Sequence, residues 1–295
     1  MSELDINNLF GVKGIVAVIT GGGTGLGLYV AKALDANGAK AVYIVGRREE
    51  TLKKAASQAI NGSIIPLTGD VTSKSSLASI SERVQKEQGF INVLFANSGI
   101  IGVEMSKTSL PKDRKPTLKE FKDAMWEPSI EDFTQSYHVN VSGVFYTSLA
   151  FLELLDEGNK RGNVEQKSNI IVTSSIAGFS RAVAAGVSYS ASKAGTNHLV
   201  KLLATYFGDY KIRVNGIAPG MFPSEMTAGQ SAFQGDKDPT KEGGLSKSVC
   251  PLERSGSEED IAGTALFMMS RGGAYLSGNI IVPDGGRLGI LPATY

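Results

Sequence analysis

The chain has 295 residues, 42% of them hydrophobic, and is long enough to bury one large core. Its formal net charge of +1 gives no electrostatic reason to expect nucleic acid or an anionic membrane as a partner. No apolar run reaches the roughly 20 residues of a membrane span, and the acidic, polar N-terminus is unlike a signal peptide. The single cysteine, Cys250, cannot form an internal disulfide, which favours a reducing, cytoplasmic location. The length predicts a single domain over residues 1–295.

Short apolar runs alternate with longer segments of helical spacing. The runs have the near-continuous hydrophobicity of strands buried on both faces of a parallel sheet, and they lie at 15–19, 41–45, 63–67, 92–96, 169–173, 213–217 and 279–282. A helix is predicted between the first two runs, over 27–38, with Gly38 as its terminal glycine. This alternation predicts an α/β fold, a Rossmann-type doubly wound parallel sheet with helices on both faces.

Two polar segments interrupt this alternation, one over 102–126 and the other over 221–251, and each follows a predicted strand. Ligands of open α/β sheets bind at the carboxyl ends of the strands, so insertions at that edge are expected to shape a substrate site. Tolerated surface loops are the alternative interpretation of both segments.

A glycine-rich turn follows the first predicted strand, with the sequence Thr-Gly-Gly-Gly-Thr-Gly-Leu-Gly over 20–27. Backbone that presses against a diphosphate needs residues without Cβ, and the helix that follows directs unpaired N–H groups at the phosphates. The predicted phosphate-binding residues are Gly21, Thr24, Gly25, Leu26 and Gly27. The spacing Thr-Gly-x-x-x-Gly-x-Gly resembles that of the short-chain dehydrogenase/reductase family.

The second predicted strand ends in Gly46-Arg47-Arg48, without the acid that commonly binds the ribose 2′-hydroxyl of NAD. A guanidinium can instead bind a 2′-phosphate through charge-assisted hydrogen bonds. Two cations are unfavourable at a helix N-terminus, which argues against the alternative that Arg47 and Arg48 are ordinary surface charges. We therefore expect NADP(H) as the cofactor.

The family resemblance extends from about residue 12 to residue 288 and implies further cofactor contacts. Asp70 and Val71 follow the third predicted strand, and Asn97 and Gly99 follow the fourth, in a segment similar to the family's Asn-Asn-Ala-Gly. The segment from Pro219 to Met226 resembles Pro-Gly-x-x-x-Thr-x-Met, with a serine in place of the threonine. There the resemblance implies nicotinamide contacts at Pro219, Gly220, Phe222 and Ser224.

Tyr189 and Lys193 lie four residues apart and so project from one face of a helix, where an ammonium would favour the phenolate of the tyrosine. The family resemblance implies that Tyr189 is the acid/base, that Lys193 also holds the nicotinamide ribose, and that the Ser175 hydroxyl binds the substrate oxygen. It further implies that the Asn140 side chain supports a water through which protons reach the lysine. Ser174 is expected to point to the opposite side from Ser175.

These motifs predict an NADP(H)-dependent oxidoreductase, a ketoreductase or alcohol dehydrogenase, that transfers hydride between nicotinamide and a carbonyl or secondary alcohol. Apolar residues near the site suggest a small substrate with hydrophobic or cyclic bulk: Phe179, Met221, Phe222, Met226 and Phe233. Epimerisation or dehydration on the same scaffold is one alternative, and a non-catalytic NADP-sensing protein is another. No metal is expected, because the two histidines lie on different predicted helices without a ligand cluster.

Assembly into a homodimer or homotetramer is expected from two apolar helices, near 139–155 and 194–207. The family resemblance implies that these helices pack against their copies in a neighbouring subunit. A monomer would have to cover their apolar surface with its own sheet, and any exposed remainder would favour association.

Overall fold

Seven strands form the sheet at the centre of the protein: β1 Val16–Thr20, β2 Ala41–Gly46, β3 Ile64–Thr68, β4 Val93–Ala96, β5 Asn169–Thr173, β6 Arg213–Ile217 and β7 Ile280–Ile281. In this computed structural model, which describes residues 4–104, 109–111, 113–182, 185–228, 233–234 and 237–294, their order is β3-β2-β1-β4-β5-β6-β7. All neighbouring strands are parallel. The chain winds outward in opposite directions from β1 and β4, so a crevice opens at their carboxyl ends. The predicted Rossmann-type fold is confirmed.

Helices cover both faces of this sheet, and the described ones are α1 Ile6–Phe10, α2 Gly25–Ala36, α3 Glu49–Ala56, α4 Lys74–Gln88, α5 Leu118–Trp126, α6 Ile130–Tyr137, α7 Val144–Ala150, α8 Leu152–Arg161, α9 Val187–Phe207 and α10 Glu258–Met269. Successive side chains of a strand point to opposite faces. Val16 and Val18 accordingly pack with residues of α4, α7, α8 and α9, whereas Ala17 and Ile19 pack with residues of α2, α3 and α10. Two buried apolar layers therefore hold the carboxyl edge of the sheet in place.

The predicted strands at 169–173 and 213–217 match β5 and β6, and β1 to β4 differ from prediction by one residue at one or both ends. The last strand is shorter than the predicted 279–282: the backbone N–H of Asn279 donates to the Asn215 side chain at 3.0 Å, and Pro283 has no N–H to extend the pairing. The first long helix begins at Gly25, two residues before the predicted start.

The single helix expected near 139–155 is wrong. Residues His138–Gly143 form a π-helical turn, α7 ends at Ala150, and α8 begins after a break at Phe151, whose ring is buried in the core. The extra residue of a π turn shifts the helical register, which the apolar spacing alone did not reveal. Within the described part of the chain, no helix is both long and apolar enough to cross a membrane.

The two polar segments connect to the carboxyl edge of the sheet. The first contains α5, and its residues 105–108 and 112 lie outside the described residues, as do 229–232 and 235–236 of the second. Helix α5 begins at a capping box in which Thr117 and Glu120 satisfy each other's backbone N–H groups. Part of the first segment is thus an ordered helix rather than a plain loop.

Candidate active site

The glycine-rich turn leaves no room for a side chain at several of its glycines. Gly21 and Gly25 adopt left-handed backbone conformations with φ of 66° and 53°. A Cβ on Gly27 would stand 2.4 Å from the Gly21 carbonyl oxygen and 2.6 Å from Nδ2 of Asn97. Side chains at these three positions would be strained or would clash, so the turn takes this shape only with glycines there.

The first turn of α2 remains open to an anion. Thr24 precedes the helix but makes no capping bond with its side chain, and no acid occupies the first turn. In contrast, α4, α5, α6 and α10 are each capped by the side chain of a serine or threonine. The uncapped N–H groups near Gly25, Leu26 and Gly27 therefore fit the diphosphate of a dinucleotide.

Asn97 ties the turn to two other strand ends. Its Nδ2 donates to the Gly21 carbonyl at 3.2 Å, and its Oδ1 accepts from the Thr173 hydroxyl at 3.0 Å. Its backbone N–H donates to Oγ1 of Thr20, which also accepts from the N–H of Ser98. The amide of Asn97 is thus engaged in holding the ends of β1, β4 and β5 together.

Arg47 and Arg48 lie at the exposed end of β2, but their surroundings differ. Arg47 makes no ion pair with the described residues; its positive charge helps to lower the pKa of Asp70, after the larger effect of hydrogen bonds from Thr72. Arg48 instead forms an ion pair with Glu225, with 2.6 Å between NH2 and Oε2. The Arg48 guanidinium therefore already has an ion-pair partner, whereas that of Arg47 has none among the described residues.

The Tyr-Lys pair occupies the buried N-terminal part of α9, with Tyr189 8% and Lys193 3% exposed. Nζ of Lys193 lies 5.8 Å from the centre of the Tyr189 ring and donates to the carbonyl of Thr173 at 2.7 Å. Ser175 follows β5, and its Oγ accepts from the N–H of Ala177 at 3.1 Å. The Ser175 hydroxyl also interacts with the Tyr189 phenol. The three predicted catalytic groups therefore meet at one point.

Ser174 points away from that point, as predicted. Its hydroxyl donates to Oδ1 of Asn197 at 2.5 Å and lies 3.3 Å from the Lys193 carbonyl. The side chain is 2% exposed. It packs α9 against the end of β5 rather than facing a substrate.

The electrostatics of the pair differ from the expected activation of Tyr189 by Lys193. Burial raises the pKa of Tyr189, and the interaction with Ser175 only opposes that rise. Burial also lowers the pKa of Lys193 to about 8. In this structure, therefore, burial raises the pKa of Tyr189, and the hydrogen bond with Ser175 is the effect that opposes it. The raised pKa favours the neutral phenol, which is able to donate a proton.

Asn140 lies in the π-helical turn and is fully buried. Its Nδ2 donates to the Ile100 carbonyl and to the Ser192 hydroxyl, and its Oδ1 accepts from the Ile100 N–H at 2.9 Å. Its backbone carbonyl accepts from the Thr196 hydroxyl at 2.9 Å. Both amide protons are thus used in positioning, and only a lone pair of Oδ1 remains for the water that the sequence interpretation assigned to this side chain.

Gly99 separates this amide from Lys193. A Cβ at Gly99 would stand 3.2 Å from Oδ1 of Asn140 and 3.5 Å from Nζ of Lys193. A side chain at this position would therefore fill the space between the amide and the ammonium.

The segment after β6 reaches across the crevice. Pro219 accepts from the N–H of Ile176, and a Cβ on Gly220 would stand 2.7 Å from Cα of Asp284. The Phe222 ring is buried against Gly256, so its predicted place beside the substrate is wrong. The backbone carbonyl of Phe222 accepts a hydrogen bond from the Thr227 hydroxyl of the same segment at 2.7 Å.

Comparison with known proteins identifies the family to which this chain belongs. The profile described as short chain dehydrogenase matches residues 15–235. The short-chain dehydrogenase/reductase PhomF of Diaporthe leptostromiformis is 47% identical over 291 residues, which cover 98% of this chain and 96% of that protein. The chain belongs to the short-chain dehydrogenase family.

Two further similarities agree with this membership. The short-chain dehydrogenase/reductase VdtF of Byssochlamys spectabilis is 38% identical over 309 residues, covering 99% of this chain and 98% of that protein. The structure described as the Pseudomonas aeruginosa RhlG/NADP active-site complex is 26% identical, with a TM-score of 0.75 over 94% of this chain and 98% of that one. This short-chain dehydrogenase is thus an oxidoreductase with the fold of enzymes that use a nicotinamide cofactor.

Several residues of this short-chain dehydrogenase site were not foreseen. Thr20, Thr173, Ser192 and Thr196 hold its parts together through hydroxyls, and Glu225 pairs with Arg48. The spacing of Ser192 and Thr196, four residues apart on the helix of Tyr189, was visible in the sequence. The partner of Glu225 was not, because 177 positions separate it from Arg48.

Proposed function

We propose that this protein is an NADP(H)-dependent oxidoreductase, a ketoreductase or alcohol dehydrogenase acting on a carbonyl or the corresponding secondary alcohol. The observation that carries the proposal is the meeting of Ser175, Tyr189 and Lys193 in one buried site beside the open glycine turn. Bound nicotinamide would supply or accept the hydride. The chain's own residues would hold the substrate oxygen and move the proton.

The Ser175 hydroxyl and the Tyr189 phenol would both donate hydrogen bonds to the substrate carbonyl oxygen. Because burial raises the pKa of Tyr189, the phenol retains its proton until the oxygen gains negative charge. Tyr189 then donates that proton to the oxygen. Lys193, held by Thr173, supplies positive charge beside the phenolate left behind.

The preference for NADP(H) rests on the end of β2. Gly46 stands where an acid would accept from a ribose 2′-hydroxyl, and the adjacent Arg47 has no ion-pair partner among the described residues. Since Arg48 is paired with Glu225, Arg47 is the residue that we assign to the 2′-phosphate. The RhlG structure, whose description names NADP, supports NADP(H) as the cofactor by similarity.

The substrate is proposed to be small and hydrophobic or cyclic. Phe179, in the segment after β5, and Met221, in the segment after β6, are half-buried. Met226, also after β6, is exposed. Phe233 is also half-buried. The two polar segments at 102–126 and 221–251 would shape this side of the crevice. Phe222 is omitted because its ring belongs to the core.

A homodimer or homotetramer is proposed from the apolar side chains that α7 and α9 leave exposed: Tyr146 38%, Leu149 41%, Leu202 42% and Tyr206 70%. Val187 at the start of α9 is 43% exposed as well, whereas Val144, Val200, Leu203 and Phe207 are buried in the sheet layer. A symmetric contact would cover the exposed remainder.

A consumption assay tests the proposed function directly. Purified protein is mixed with NADPH and a panel of ketones, quinones and cyclic polyketides, and the absorbance of the reduced nicotinamide is followed. The proposal expects turnover of at least one carbonyl, faster with NADPH than with NADH. Tight NADPH binding without turnover of any carbonyl would instead favour the NADP-sensing alternative.

A further inference from the structure

The ion pair between Arg48 and Glu225 joins distant parts of the sheet. Arg48 follows β2 and Glu225 follows β6, and three strands, β1, β4 and β5, lie between them. With neighbouring strands about 4.8 Å apart, the two strands are separated by roughly 19 Å. The two side chains nevertheless meet at 2.6 Å. The chain after β6 must therefore cross the carboxyl ends of the strands between them.

We call residues 218–228, which make this crossing, the strap. Its root is fixed beside β7, where the N–H of Ala218 donates to the Ile281 carbonyl and the N–H of Gly220 donates to the Pro283 carbonyl. The buried ring of Phe222 anchors it further. Beyond Phe222 the strap residues are half-buried or exposed, so its tip depends on contacts other than packing in the core.

The tip of the strap lies over the phosphate-binding turn. A Cβ on Gly25 would stand 3.3 Å from Cβ of Ser224, so the two backbones are in near contact. Within the tip, Thr227 holds Ser224 through the Ser224 N–H at 2.9 Å and its hydroxyl at 3.1 Å. These bonds hold Ser224 and Thr227 of the tip together. The ion pair between Glu225 and Arg48 connects the tip to the end of β2.

We propose that the Arg48–Glu225 ion pair, which we call the clasp, holds the strap across the cofactor groove and so limits the rate at which a nicotinamide dinucleotide leaves. This inference rests on the proposed function, because the groove is the one assigned there to the cofactor. Glu225 is a positioning residue: it acts through Ser224 and the strap. Arg48 is shared between the clasp and the edge of the 2′-phosphate region, whereas Arg47 is free for the phosphate.

The clasp is exposed, with side-chain accessibilities of 62% for Arg48 and 59% for Glu225. Exposed ion pairs are weak and are screened by salt, so the expected effect of the clasp on the release rate is roughly two- to fivefold. An ion pair of this strength can retain a cofactor during turnover without preventing its exchange.

The test measures NADH release, because NADH has no 2′-phosphate and any contact of Arg48 with that group then has no effect. Each protein is loaded with NADH and mixed with excess NAD⁺ in a stopped-flow instrument, and the loss of NADH fluorescence gives the dissociation rate. Arg48→Gln, Glu225→Gln and the double variant should each release NADH roughly two- to fivefold faster than the unchanged protein. The double variant should be no faster than either single variant.

Salt and a matched control complete the test. Raising NaCl from about 0.05 to about 0.5 M should accelerate release more from the unchanged protein than from Glu225→Gln, in which the clasp is already absent. Glu157→Gln removes one of the two exposed carboxylates, with Asp156, that pair with Lys160 in α8, the helix that precedes the amino end of β5. This control should release NADH at the unchanged rate. Thermal unfolding of all variants should agree within a few degrees, since every replaced side chain is exposed.

The outcomes separate the two proposals. Unchanged NADH release in Glu225→Gln, or effects of the single variants that add in the double variant, would overturn the clasp and leave the proposed function standing. A protein that binds neither NADPH nor NADH would overturn the proposed function itself. Tighter binding of NADH than of NADPH would refute the cofactor preference, while the accelerated release of NADH in the variants would still support the clasp.

Discussion

Nζ of Lys193 donates a 2.7 Å hydrogen bond to the backbone carbonyl of Thr173, the last residue of β5. Because the hydroxyl of Thr173 also donates to Asn97, this one residue connects the catalytic helix to the fourth strand and the glycine turn. The ammonium is nearly inaccessible, and its burial lowers the pKa of Lys193 to about 8. The protein therefore keeps a charge in its interior at a cost in stability.

Lys193→Met should raise the stability of the ligand-free protein while removing activity. Between the ordinary pKa of 10.5 and the folded value of about 8, the cost of the buried charge is about 3 kcal/mol, and the unpaired Thr173 carbonyl offsets about 1 kcal/mol of the gain. The unfolded state binds the proton more tightly, so the unchanged protein gains stability as pH rises from 8 to 10.5. Denaturant unfolding should show an advantage of about 2 kcal/mol for the variant below pH 8, which shrinks above it. An advantage independent of pH would contradict the role of the charge.

Tyr189→Phe should fold normally and bind NADPH, yet lose about 10²- to 10⁴-fold in turnover, because the proton donor is gone while the ring still fills its site. The measurement is kcat on a carbonyl found in the consumption assay, together with the NADPH dissociation constant. Tyr206→Phe, at a 70% exposed position of the same helix, is the matched control and should keep full activity. A Tyr189→Phe enzyme with more than a tenth of the original kcat would falsify the assignment.

Arg47→Asp should weaken NADPH binding by about 1.5–3 kcal/mol, the scale of a hydrogen bond to a charged group, because a carboxylate would then face the 2′-phosphate. NADH binding should change little. Titration calorimetry with both cofactors measures the two affinities. Equal losses for NADPH and NADH would show that Arg47 does not read the 2′-phosphate.

Gly27→Ala should abolish cofactor binding and destabilise the protein, because its methyl group would lie 2.4 Å from the Gly21 carbonyl oxygen and would displace Asn97. Gly23→Ala is the control in the same turn: its methyl group would meet only the ends of the Leu52 and Thr51 side chains at 3.3 and 3.4 Å. Nucleotide titrations and thermal unfolding should separate the two variants clearly. Similar behaviour of both would mean that the turn tolerates a shift.

Light scattering at micromolar concentration should give a mass that is a multiple of the 31.1 kDa chain. Leu202→Glu places a charge among the apolar side chains that α7 and α9 expose, and should shift the population towards the monomer. Leu118→Glu, at an 85% exposed position of α5, is the control and should leave the mass unchanged. A monomeric unchanged protein would show that this face needs no partner.

Local patterns were sufficient to predict much of the fold. Continuous apolar runs predicted every strand of the sheet, because a strand buried on both faces has no polar side to interrupt it. The glycine turn and the Tyr189–Lys193 pair were equally visible, since the close backbone approach and the helical spacing each depend on residues within one element. The family resemblance added Ser175 and Asn140, whose positions no local rule would have connected to Tyr189.

The tertiary structure decided how elements distant in sequence contact one another. Burial set the direction of the Tyr189 and Lys193 pKa values, because desolvation depends on everything packed around a group. The π-helical turn, the burial of Phe222 and the pairing of Arg48 with Glu225 depend in the same way on contacts across the sheet. A sequence states which groups are present, whereas their partners are determined only when the strands align and the segments between them cross the same edge.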